Sequence, residues 1–76
     1  MNMEETVQKI IDNVLGIGDF SDESKITSDQ VLSWDSLRNI QLIFSLEEEF
    51  DVEFTDLEIT EMVNYKSIIK LTKSKL

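Results

Sequence analysis

The chain contains no proline and only two glycines, Gly16 and Gly18. These residues are the strongest breakers of regular structure, so a sequence nearly free of them favours uninterrupted helices over a turn-rich β fold. The apolar residues agree. Met3, Val7, Ile10, Ile11, Val14 and Leu15 recur in steps of three and four, the spacing of one helical stripe. Asn2, three residues ahead of Glu5, offers a capping box at the start, and Gly16 offers a stop. A first helix is predicted over residues 3–15.

Residues 16–34 show no period, and a connection of this length inside a compact fold often has a role. Phe20, Ile26, Val31 and Leu32 are its expected anchors to the core. Its acidic part matches a calcium-binding loop only in part. Starting from Asp19, the third and fifth positions, Ser21 and Glu23, are tolerable. The sixth needs glycine and is Ser24, and the twelfth needs glutamate and is Gln30, and these two failures argue against a calcium-binding EF-hand.

A second helix is predicted over residues 36–50. Asp35 is a good N-cap, because its carboxylate can accept from the free amides of the first turn. Ser36 then falls at the first or second helical position with its hydroxyl outward. Turning by roughly 100° per residue gathers Leu42, Ile43, Leu46 and Phe50 on one arc, assigned to the core. Leu37, Ile40 and Phe44 fall on the same side as Ser36, with Glu47 there and Glu48 at its margin. The helix is thus apolar over more than half its girth. Either it is the most enclosed helix of the bundle or part of it meets a partner. Nearness to Ser36 favours the partner, with apolar contacts giving area and carboxylates orienting the encounter.

Val52 and Phe54 are expected to plug the core after that helix. Thr55, with Glu58 three residues on, forms a capping box for a short helix from Asp56 to Glu61, with Leu57 and Met62 as its buried positions. Asn64 caps a last helix whose inner face is Tyr65, Ile68, Ile69 and Leu71, and Leu76 is expected to fray. The expected fold is all-α: a small four-helix bundle, three longer helices plus one short, with a long loop between the first two. At 76 residues the chain is expected to be a single domain, residues 1–76.

Composition narrows the function. There is no cysteine and no histidine. That removes disulfides, thiolate metal sites and the usual nucleophiles and general bases, and no pair of the remaining acids, lysines and Tyr65 is placed for catalysis. No metal site and no catalytic residue is expected, and an enzyme is disfavoured. The net charge of −9, from 16 acidic and 7 basic residues, repels nucleic acid and anionic lipid and suits basic protein partners. Lys66, Lys70, Lys73 and Lys75 read as a solvated helix face, well placed against the negative end of the helix dipole. No signal peptide is visible, and no apolar run approaches the ~20 residues of a membrane span. A cytoplasmic monomer is expected.

On the dipeptide alone, Asp35-Ser36 is best read as a helix cap. The wider pattern says more. Asp35-Ser36-Leu37, then Ile40, Leu42, Ile43, Leu46-Glu47-Glu48-Glu49-Phe50, Val52, Phe54 and Asp56, resembles the acyl carrier protein family over nearly the whole chain. The resemblance implies that Ser36, flanked by Asp35 and Leu37, carries 4'-phosphopantetheine donated by coenzyme A through a phosphopantetheinyl transferase. It implies that the thiol of this group, absent from the chain itself, holds acyl cargo as a thioester. Partners would be acyl-loading and acyl-transferring enzymes with basic docking patches, meeting Leu37, Ile40, Phe44, Glu47 and Glu48. In this family acyl chains can slip between the helices. Ile43, Ile59, Ile68, Phe50 and Phe54 are compatible with that, but ordinary core packing explains them as well.

The chain also departs from the family pattern. Arg38 and Gln41 stand where housekeeping fatty-acid carriers usually have acidic residues, with Asn39 between them. Trp34 replaces a small residue, although it also reads as a core or loop-packing side chain. A W-D-S-L start looks like carriers dedicated to particular pathways, including polyketide, nonribosomal-peptide and lipid- or sugar-modifying systems. An aminoacyl or peptidyl carrier, and an unmodified acidic helical adaptor, therefore stand as alternatives.

Overall fold

The computed structural model describes residues 2–76. Four α-helices follow in order: α1 (Met3–Leu15), α2 (Ser36–Phe50), α3 (Asp56–Glu61) and α4 (Tyr65–Ser74), with a 3₁₀ turn at Glu23–Lys25 inside the long connection. Local chemistry sets the helix ends. Asn2 Oδ1 accepts from the Glu5 amide at 2.8 Å. The Glu5 side chain returns no hydrogen bond among the described residues, so the expected capping box is only half formed, and the Thr6 hydroxyl donates to the Asn2 carbonyl instead. Gly16 closes α1 at φ 75°, the left-handed region that glycine enters freely. Asp51 closes α2 in the same region at φ 54°, which a short polar side chain tolerates. The box on α3 is complete, with Glu58 N–H donating to Thr55 Oγ1 and Thr55 N–H to Glu58 Oε1. Asn64 caps α4 by accepting from the Ser67 amide.

The buried stripe of α1 (Val7, Ile11, Leu15) meets Leu42, Ile43 and Leu46 of α2, and Tyr65 and Ile68 of α4 complete the core with Ile26, Trp34, Phe54 and Met62. Val52, Phe20, Val31, Phe50, Ile69 and Leu71 pack at its margin. Burial holds the Tyr65 phenol above its ordinary pKa, and Gln8 Nε2 donates to its oxygen.

Two expected anchors face water. Leu57 is 70 % exposed and Leu32 is 99 % exposed. Helix α3 is shorter than two turns. At roughly 100° per residue, turning Ile59 and Met62 inward leaves Leu57 on the far side. Around Leu32 the chain makes a turn, with the Trp34 amide donating to the Val31 carbonyl at 3.0 Å. That turn directs Val31 and Trp34 inward and leaves Leu32 at the apex. Conversely Thr72, one turn beyond Ile68, is fully buried, and its hydroxyl has no partner among the described residues.

The long connection is pinned at both sides. The Ser33 hydroxyl donates to the Leu15 carbonyl at 2.7 Å, at the end of α1. On the other side Thr27 bridges to Asn64, the Ser28 amide donates to Val63 O and the Tyr65 amide to Ile26 O. Asp19 and Asp22 spend a carboxylate oxygen each on closing their own turns, at Ser21 and Ser24. These ties place the start of α2 between the end of α1 and the α3–α4 junction.

Candidate functional site

The first residue of α2 is Ser36, and it is exposed. Its position follows from the residue before it. Asp35 is extended, at φ −99° and ψ −176°, and its Oδ1 accepts from the Arg38 amide at 2.8 Å. The Asn39 amide makes the first helical bond, to the Asp35 carbonyl. The Ser36 and Leu37 amides are left without partners among the described residues, as is the Ser36 hydroxyl. A free hydroxyl thus stands beside two free amides at the positive end of a helix dipole.

Neighbouring side chains brace this corner. Arg38 donates from Nη1 to the Val14 carbonyl at 3.0 Å, near the C-terminal end of α1 where a cation is favoured. Trp34 is 5 % exposed, and its indole N–H donates to Asn39 Oδ1 at 3.0 Å. The core reading of Trp34 therefore holds.

Leu37, Ile40 and Phe44 are 62 %, 49 % and 65 % exposed. Together with Ser36 and Glu48 they share one face of α2, the same face the helical spacing selected. Glu47 lies on that side but is half-buried, and its Oε2 accepts from the Phe54 amide at 2.9 Å, bridging the turn after α2. Its carboxylate is thus engaged in the fold, whereas the exposed Glu48 side chain has no hydrogen-bond partner among the described residues. Glu47, Glu48, Asp51 and Glu53 with Phe44 and Val52 line a shallow acidic depression at the C-terminal end of α2. No helix among the described residues is long and apolar enough to cross a membrane.

A curated protein named acyl carrier protein, from Buchnera aphidicola subsp. Baizongia pistaciae (strain Bp), is 37% identical over 76 residues, covering 95% of this chain and 92% of that protein. The chain belongs to the acyl carrier protein family. An acyl carrier protein is a carrier and not a catalyst, so the chain is not an enzyme. The four-helix, strand-free architecture of the described residues is consistent with such a fold. No protein-family model matches the chain. No solved structure matches it.

Ser36 also borders a groove that helical spacing alone does not reveal, lined by Ser28, Trp34, Asp35, Ser36, Asn39 and Val63. Asn39 was within reach of sequence reasoning, since three residues past Ser36 is an adjacent position on the helix surface. Ser28 and Val63 were not. Only the bridge between the long connection and the α3–α4 junction brings them to the site.

Proposed function

We propose that this chain carries acyl groups as thioesters on a 4'-phosphopantetheine arm attached to Ser36, presenting them to partner enzymes of acyl metabolism in the cytoplasm. The observation that carries this reading is the exposed, unbonded Ser36 hydroxyl beside the free amides of Ser36 and Leu37. The donor set suits a phosphodiester. The two N–H groups and the helix dipole favour an anion, and one Asp35 oxygen is already committed to the Arg38 amide. When bound, the arm supplies the thiol that this cysteine-free chain lacks, and its thioester is a better acyl donor than a serine ester would be. The chain's own part is to hold the Ser36 oxygen in water for a phosphopantetheinyl transferase. Leu37, Ile40 and Phe44 offer apolar contact, with Glu48 and the more engaged Glu47 offering negative charge to basic docking patches.

Arg38 and Gln41, where housekeeping fatty-acid carriers usually have acidic residues, favour a dedicated pathway over primary fatty-acid synthesis. Incubation with coenzyme A and a broad-specificity transferase, followed by mass spectrometry, tests the attachment. The expected result is uptake of one arm by the wild type and none by Ser36→Ala. A wild type that stays unmodified with several transferases would point to an unmodified acidic adaptor instead.

A further inference from the structure

The groove beside Ser36 has an open volume of about 390 Å3, and three separate parts of the chain build it. Ser28 comes from the long connection, Trp34 to Asn39 from the start of α2, and Val63 from the α3–α4 junction. The Ser28 amide holds the first part to the third at 2.8 Å, through the Val63 carbonyl. Trp34 holds Asn39. An indole N–H can only donate, so the atom facing it is the Asn39 oxygen, and the amide nitrogen is turned away from the indole. The two N–H groups of that nitrogen and the Ser28 hydroxyl have no hydrogen-bond partner among the described residues. Val63, 42 % exposed, adds an apolar edge. The groove therefore offers donors, an acceptor and a hydrocarbon surface together, and one of its lining residues, Ser36, carries the proposed attachment oxygen.

We infer that Ser28, Asn39 and Val63, with Trp34 orienting Asn39, position the amide-bearing arm along this groove. The inference rests on the attachment at Ser36 proposed above. Asn39 donates to an amide carbonyl of the arm, Ser28 pairs with either side of an amide, and Val63 covers its hydrocarbon. Weak contacts suffice, because a tether starting at Ser36 makes the encounter intramolecular. These are positioning residues, and none of them touches an acyl-transfer centre.

The test compares nitrogen-15 spectra of the unmodified and the arm-bearing protein, with uptake followed by mass. Attachment is expected to shift the Trp34 indole N–H, the Asn39 side-chain N–H2 and the Ser28 and Val63 amides, and to slow solvent exchange of the indole proton. Asn39→Asp keeps an oxygen for the indole and removes both donors. This variant should take up the arm to completion yet lose the shifts at Ser28 and Val63. Val63→Ala, at an exposed position, should shrink them without lowering the melting temperature. If shifts are confined to residues 35–38 while the arm is fully loaded, the positioning inference is overturned and the attachment stands. The same holds if Asn39→Asp shifts like the wild type. If an intact Ser36 takes up no arm, the attachment fails and the inference fails with it.

Discussion

Phe44→Ala separates a docking side chain from a core one, and the neighbouring Leu46→Ala supplies the scale. Removing a fully buried phenylalanine costs about 3–5 kcal/mol. Phe44 is 65 % exposed, so roughly a third of that, about 1–1.7 kcal/mol, is at stake. Alanine is the better helix former by up to about 0.7 kcal/mol, leaving a net loss on the order of 0.5–1 kcal/mol. In a domain of this size that lowers the melting temperature by about 2–8 °C. Leu46 is fully buried, and its truncation should cost about 2–5 kcal/mol, a large share of a small domain's stability. Thermal melts followed by circular dichroism measure both. Loading by a phosphopantetheinyl transferase, as kcat/KM at a temperature where each variant is folded, should fall roughly five- to thirty-fold for Phe44→Ala if the ring is a docking anchor worth 1–2 kcal/mol. Equal melting losses for the two variants would refute the argument by placing Phe44 in the core.

Three further measurements probe charge, capping and burial. With a net charge of −9 the folded chain repels itself, so its melting temperature should rise with added salt or magnesium, and a flat response in a calorimetric titration would count against this. Lys75 Nζ lies 2.7 Å from Glu58 Oε1, and this hydrogen bond, followed by that from the Thr55 amide, holds the Glu58 carboxyl below its ordinary pKa. A lowered folded pKa stabilises above the unfolded value, near 4.5, and that contribution disappears as pH falls through the folded value. Glu58→Gln retains a capping side chain but not the charge, so its melting deficit should be present at pH 7 and vanish in acid. Leu57→Ala should leave the melt nearly unchanged, whereas Met62→Ala, at a fully buried position, should cost about 2–5 kcal/mol by denaturant titration.

The helices were legible because their signals are local. Asp35, Thr55 and Asn64 each accept from an amide three residues on, as their types and positions suggest. Gly16 ends α1 where it stands alone after an apolar stripe. The exposed face of α2 was legible for the same reason, since fifteen residues are enough for the period to define two sides. Leu32 and Leu57 were misassigned because neither lies in a segment long enough for periodicity to choose a face. In such segments hydrophobicity says only that a side chain favours burial. Thr72 was missed for the opposite reason, since a polar residue on the α4 stripe is not read as core. The bond between Trp34 and Asn39, and the approach of Val63 to Ser28, are tertiary facts, and no local pattern announces them.

The charges on α2 run against its own stability. A helix dipole favours anions at the N-terminus and cations at the C-terminus, yet α2 has no acidic residue in its first turn and no basic residue in its last. Glu47, Glu48 and Glu49 instead crowd the C-terminal end, with Asp51 beyond them. Only Glu47 recovers part of the penalty, through the Phe54 amide. Near Ser36 the pattern reverses, and Arg38 turns to the Val14 carbonyl, leaving Asp35 as the local carboxylate. With a rise of about 1.5 Å per residue, Glu48 stands about 18 Å along the axis from Ser36 and Phe44 about 12 Å. Under the proposed function, the carboxylates therefore sit too far away to act on chemistry at the arm's root. Their use would be to align α2 against a basic surface, with Phe44, Ile40 and Leu37 filling the contact between that anchor and Ser36. Placing the charge at the far end also keeps added repulsion away from the phosphodiester proposed at Ser36, which the two free amides are left to balance.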